Sequence, residues 1–412
     1  MKKLHSIIEE TLQKKLTPDY ILTKLIERKL SENGIKLGKK QLSEIKKYVE
    51  RNHNTDGLIS IPSRINKKVK LRLTLDDLEK FMDDMSEQVE GATQQIIKIL
   101  VEKNFKRFKK SPRLVMKPYL SELKSFNKGI KKVWGESLDI LKAYITVAYE
   151  AGRELNNSYR QEKSDENIHK KEVLLRLHAR ACQIASEVHT LLSAGYADGA
   201  HARWRSIHEI ASVAIFIAHN ADELSERYLL HEGVESYKAM NLYQKNYKKL
   251  GMKTLSKRKI TSIQRQYNNL LKQFGSSFRG DYGWASNVLE NPNPKFRDIE
   301  EAAGLDHLHS YYKMASHNVH ANPKGILYKL GLLNNSQDLM LAGPSNVGFT
   351  DPAQCTALSL SQVTISLLLI EPEIEGLITS KLLLRIADEI GNSFYKAEVD
   401  IKKRENKIRK QG

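Results

Sequence analysis

Residues His201–Ala211, HARWRSIHEIA, bring Arg203, Arg205, His208 and Glu209 into one short stretch. Those side-chain types suit work on an anion: a guanidinium stabilises developing negative charge, and an imidazole carries protons near neutral pH. On a helix, Arg205 and Glu209 are four apart and share a face, with His201 one turn earlier and His208 beside them. The same spacing serves a purely structural purpose, an internal Arg–Glu ion pair that ties two helices together. The stretch runs directly into Val213–Ala218, VAIFIA, which reads as core. Eleven of the thirteen histidines fall between His169 and His320, so titratable chemistry is expected in the C-terminal two-thirds. His307-x-His309 and His317-x-x-His320 have ligand-like spacing, but no Glu/His frame of a zinc protease accompanies them, and no metal is expected. No phosphate-cradling glycine loop, dinucleotide fingerprint or nucleophile elbow occurs, and no cofactor is expected.

The elements that must position these residues are helical almost throughout, and the class predicted is all-α. Thr17-Pro18-Asp19 starts a helix that Asn33-Gly34 ends, and a shorter one spans Lys40–Val49. NHNTDGLISIPSR reads as a linker, so a small helical module is placed at about 1–60. Thr74-Leu-Asp-Asp77 resembles a capping box and opens a basic helical region over 66–165, interrupted at Ser111-Pro112 and Lys117-Pro118. After the polar stretch RQEKSDENIHKK come helices at about 169–193, 196–219, 222–247, 257–274, 298–321 and 353–394, the core of a region over 166–400. GLISI and GILYKLG are the only strand candidates, and KKRENKIRKQG reads as a frayed tail.

The chain has 412 residues, with 67 Lys and Arg against 49 Asp and Glu, a formal net charge of +18. Such an excess favours polyanionic partners, nucleic acid above all. It is concentrated: from Lys103 to Lys132 there are eleven basic residues and one acid, Glu122, with Phe105, Phe108, Tyr119 and Phe126 interleaved. Lys103, Lys106, Arg107, Lys109, Lys110 and Arg113 could neutralise phosphates while the rings stack on bases. The plainer alternative is a solvated helix face whose aromatics are core. Two cysteines, Cys182 and Cys355, argue against a disulfide scaffold and suit a reducing cytoplasm. MKKLHSIIEE has no apolar signal core, and Thr356–Ile370 is too short and polar to span a bilayer, so no membrane partner is expected.

Gly195–Glu232, DYGWAS (Asp281–Ser286) and YYKMASHNVHANPKG (Tyr311–Gly325) resemble a bacterial family of unknown function. Its pattern is an Arg-x-x-x-Glu helix, here Arg205 and Glu209, and a distal Tyr-x-x-x-Ser-x-x-x-His, here Tyr312, Ser316 and His320. The likeness covers roughly residues 140–390. Members of that family resemble the helical HEPN superfamily, many of which are ribonucleases of toxin and phage-defence systems. The HEPN signature is an arginine, four to six residues, then a histidine, and Arg203-Trp-Arg-Ser-Ile-His208 fits it. The resemblance implies a HEPN-like helical bundle with a helical N-terminal extension, a homodimer, and an RNA-directed, metal-independent effector. Arg203 or Arg205 would hold phosphate, Arg205 and Glu209 would form a buried scaffold pair, and His208 and His320 would transfer protons. The alternative is a non-catalytic helical module that binds nucleic acid or a partner protein, with the same cluster structural.

Overall fold

A computed structural model describes residues 18–35, 58–60, 70–161, 166–332 and 340–409, with isolated positions between 38 and 47. The chain divides into two compact units, Met1–Pro118 and Tyr119–Gly412. The described residues are overwhelmingly helical, so the protein is all-α; one short antiparallel pair of strands is the exception.

In the first unit, α1 (Pro18–Glu32) buries Leu25, Ile26 and Leu30, and Phe81 is buried on α2 (Leu75–Lys110). Lys29 reaches Asp77 at 2.7 Å and Arg28 reaches Asp84 at 2.5 Å, so ion pairs flank the apolar contact. Thr74 caps α2 as its sequence predicts: its N–H and hydroxyl donate to the Asp77 carboxylate at 2.9 and 2.7 Å. GLISI contributes β1 (Leu58–Ser60), paired antiparallel with β2 (Lys70–Arg72). Thr17 and most of the Lys40–Val49 helix and the linker lie outside the described residues.

The second unit is a helical bundle built on α3 (Pro112–Gln161), α4 (Ile168–Ser193), α5 (Ala197–Ala218), α12 (Thr350–Leu368) and α13 (Ile374–Arg409). Between them run α6 (Asp222–Leu230), α7 (Glu232–Asn246), α8 (Lys257–Phe274), α9 (Phe296–Ala302), α10 (His309–His317) and α11 (Pro323–Leu327). On α3, Trp134, Leu138, Leu141, Ile145 and Ala148 recur at helical spacing and are buried. Trp134 stacks on Phe349 at 4.7 Å and gives its indole N–H to the Asn346 carbonyl. α5 is packed against α4, α12, α9 and α10. Ala200, Ala211 and Ala214 on α5 and Ala357 and Ser361 on α12 are all buried; such small residues let helix backbones approach closely.

Two turns set the site. Gly195, between α4 and α5, has φ +85°, and a Cβ there would meet Phe126 at 2.7 Å and Pro344 at 2.8 Å. Asp198, in the first turn of α5, accepts the backbone N–H groups of Leu330 and Gly331, which docks the chain beyond α11 against the start of α5.

Several boundaries differ from the sequence reading. Pro118 lies inside α3 and forgoes the bond to the Leu114 carbonyl without ending the helix; Ser111 is the break. The 222–247 helix is two helices meeting at His231, whose Nε2 sits 2.8 Å from the Gly280 carbonyl. The 298–321 helix is also two, because Gly304 turns the chain at φ +70°. The 353–394 helix breaks between Leu368 and Ile374, where Pro372 cannot continue it. GILYKLG begins as α11, capped by the Asn322 side chain, and is no strand. The basic C-terminal run continues α13 to Arg409; residues 410–412 lie outside the described residues.

Candidate functional site

α5 is amphipathic in an unusual sense: both of its faces are polar at the N-terminal end. His201, Trp204, His208 and Ala211 follow one another at three- and four-residue steps, and all have zero exposure. Arg205 and Glu209 lie on a second face, with side chains 24% and 36% exposed. Arg203 and His208 are five apart and project about 140° away from each other around the helix axis. Arg203 pairs with Glu187 of α4 and bonds Ser206, whereas His208 points into the core. The signature spacing therefore does not converge these two side chains on one cleft.

His208 is held by a residue that the sequence reading did not single out. Its Nε2 lies 2.7 Å from Oε1 of Glu300, which has zero exposure, and the other carboxylate oxygen lies 2.5 Å from Nδ1 of His309. Two imidazoles thus share one buried carboxylate. Burial pushes the pKa of His208 below its ordinary value against the pull of Glu300, so at neutral pH the ring is uncharged and its single proton is assigned to Nε2. His208 Nδ1 is buried without a partner. Trp204, Phe296 and Tyr312 close around the ring at 5.4, 6.0 and 5.7 Å.

His309 is the outward end of this relay, its side chain 21% exposed. Donation from Nδ1 to Glu300 leaves the Nε2 lone pair directed away from the carboxylate. Its ring lies 5.8 Å from that of Tyr312. The Tyr312 hydroxyl receives a hydrogen bond from Arg205 Nη2 at 2.7 Å and donates to Glu209 Oε1 at 2.8 Å, while Arg205 and Glu209 approach to 3.0 Å. The guanidinium also lies 4.7 Å over the Tyr312 ring. Burial and the neighbouring Glu209 push the Tyr312 hydroxyl up to about 12, so it stays protonated. His309, Tyr312, Arg205 and Glu209 form one contiguous, partly exposed set.

The distal block resolves into three roles. Tyr312 belongs to the set, and the Ser316 hydroxyl bonds back to the Tyr312 carbonyl at 2.8 Å. His320 lies beyond the end of α10 and is exposed, and no side-chain hydrogen bond joins it to the α5 cluster among the described residues. Glu300 was not singled out in the sequence, where it is one of three acids in FRDIEEA. His309 was visible only as part of a ligand-like spacing.

In the first unit, Lys103, Lys106, Arg107, Lys109, Lys110 and Arg113 are all exposed. Phe105 and Phe108 are 53% and 54% exposed, and Lys109 Nζ lies 5.4 Å from the Phe105 ring centre. These two rings are not core residues of that unit. Phe126, in the second unit, does pack on the core.

The described residues contain no helix long and apolar enough to cross a membrane. No curated protein and no solved structure matches the chain. The model of a family of unknown function, DUF5677, matches residues 171–338, a span that holds Arg205, Glu209, Glu300, His309 and Tyr312 together.

Proposed function

We propose that this protein is an RNA-directed, metal-independent ribonuclease-type effector in which His309 moves the proton. The observation that carries the reading is Glu300, a fully buried carboxylate that orients His309 outward beside Arg205 and Tyr312. A histidine fixed on one nitrogen by a buried carboxylate, with the other nitrogen free to act, is the arrangement that general base catalysis needs. His309 Nε2 would take the proton of an RNA 2′-hydroxyl, whose oxygen attacks the adjacent phosphorus. The bond to the 5′-oxygen breaks, that oxygen takes a proton from water, and a 2′,3′-cyclic phosphate remains. Arg205, held in place by the Tyr312 hydroxyl, would stabilise the charge on the phosphoryl oxygens. His208 becomes a positioning residue behind Glu300.

Purified protein should cut RNA in excess EDTA, leave 2′,3′-cyclic phosphate ends, and spare DNA of the same sequence, which lacks the attacking hydroxyl. His309→Ala should slow cutting by about a hundred- to ten-thousand-fold while the protein stays folded, and His320→Ala should leave the rate unchanged. A requirement for added metal, or a His309→Ala variant that cuts like the parent, would overturn the reading.

A second reading rests on other observations. Arg205 is already matched by Glu209, and His208 is sealed from solvent. If these groups only tie α5 to α9 and α10, the protein is a non-catalytic module whose exposed basic-aromatic segment, Lys103–Arg113, docks nucleic acid or a partner protein. RNA binding without cutting would favour it.

A further inference from the structure

The last turns of α2, Ile97–Lys110, sort their side chains onto two faces. At about 100° per residue, Leu100, Ile97, Phe108, Val101 and Phe105 fill one continuous arc of about 140°, in which Asn104 is the one polar side chain. Lys98, Lys103, Lys106, Arg107, Lys109 and Lys110 occupy the rest of the circumference, shared only with Glu102 and Ile99. Ile97, Val101, Phe105 and Phe108 are exposed, and among the described residues none of the six cations is ion-paired. Lys109 instead lies over the Phe105 ring, where the two faces meet. Single exposed apolar side chains need no account, whereas a contiguous stripe of them marks a surface that is covered in use.

We infer that this stretch of α2 is an interfacial helix that rests on an anionic lipid surface, a use independent of the ribonuclease reading. Six cations against one acid call for an anionic partner. That sets aside a second copy of the same face, where like charges would meet. Nucleic acid matches the charge but not the arc. Lys103 and Lys110 lie opposite the two rings around the helix, and Ile97, Leu100 and Val101 have no π-face on which a base could stack. A bilayer surface matches both. The apolar arc sinks into the boundary between headgroups and acyl chains. Lys98 and Lys109 on one edge of the arc, and Arg107 on the other, then reach headgroup phosphates along their apolar stems. Such a helix lies in the interface without crossing it, so it needs no spanning segment, and the described residues contain none.

Flotation of the full chain with lipid vesicles tests this. Vesicles of phosphatidylcholine with about one-third phosphatidylserine should bind it roughly tenfold or more tightly than phosphatidylcholine alone. Val101→Gln combined with Phe105→Gln should weaken that binding by roughly tenfold or more, with Tm unchanged because both side chains are exposed. Phe105→Trp should give a blue-shifted emission when the anionic vesicles are added, against a background of native tryptophans that are buried. Adhesion through the cations alone would not produce that shift. No binding to anionic vesicles, equal binding to neutral ones, or a double Gln variant that floats like the parent overturns the inference. Binding to single-stranded RNA without flotation assigns the stretch to nucleic acid and overturns it equally.

Discussion

Replacing Glu300 tests whether the buried relay has the strength that its geometry implies. The carboxylate has zero exposure and accepts from His208 at 2.7 Å and from His309 at 2.5 Å. A hydrogen bond to a charged acceptor contributes about 1.5–3 kcal/mol net. Glu300→Ala removes two and strands the His208 N–H in a site with no water access. Together these losses should destabilise the second unit by about 3–5 kcal/mol. For a unit of this size, about 4 kcal/mol lowers Tm by roughly 6 °C. Glu300→Gln is the informative control. Its amide oxygen accepts from one imidazole, and its NH₂ donates to the other once that ring changes tautomer, so shape and both bonds survive and the loss should be about 1 kcal/mol. Scanning calorimetry of the three proteins at pH 7.5 reads the comparison directly. If alanine and glutamine cost the same, or if neither moves Tm by more than about 2 °C, the two histidines do not depend on Glu300 and the relay is a coincidence of packing.

Two other outcomes follow from the same structure. Burial pushes His178 and His201 from the ordinary 6.5 down to about 4. Between those values the unfolded chain binds protons that the folded chain refuses, so stability is full above pH 6.5 and falls as the pH drops toward 4, by about 2 kcal/mol per histidine at pH 5. Urea titrations at pH 7.5 and 5 should show that loss, His201→Phe should remove its share, and a pH-independent midpoint would refute it. In the first unit, reversing Lys106, Arg107, Lys109 and Lys110 to Glu should flatten the salt dependence of single-stranded RNA binding by about 3 in the log–log slope, at about 0.7 per phosphate contact. Unchanged slopes would mean that the segment is only a solvated face.

What the sequence made legible were the local rules. The Thr74–Asp77 cap, the 257–274 helix and the Arg205–Glu209 pair depend on neighbours within a turn, and the structure holds them where periodicity placed them. Breaks were harder to read, because the packing around a breaker decides whether the helix continues. Pro118 is tolerated inside α3, whereas Gly304 and Pro372 divide segments that read as continuous. Glu300 was out of reach altogether. Its burial on a short acidic helix depends on a partner 92 positions away, His208.

The burial of His208, by contrast, was written in the helix period. His201, Trp204, His208 and Ala211 form a single stripe, and a residue in register with a buried tryptophan is itself expected inside. That register explains why a titratable cluster sits at the mouth of a buried helix. α5 is covered on one side by α4, whose buried surface is largely apolar, and by α12, whose buried residues are small and apolar with several Ser and Thr, and on another by the short helices α9 and α10, which follow irregular, glycine-punctuated chain. Short helices of that kind present few apolar residues to bury. Instead Glu300 and Tyr312 dock by hydrogen bonds, each meeting a partner on α5, and the polar residues of α5 are the other half of that joint. A joint made of charges and hydrogen bonds is directional, so it fixes His309 and Arg205 in orientation as well as position. An apolar seam of the same area would hold α10 in place without aiming any side chain outward. The feature that stabilises this corner of the bundle is therefore the one that leaves an oriented imidazole at its edge.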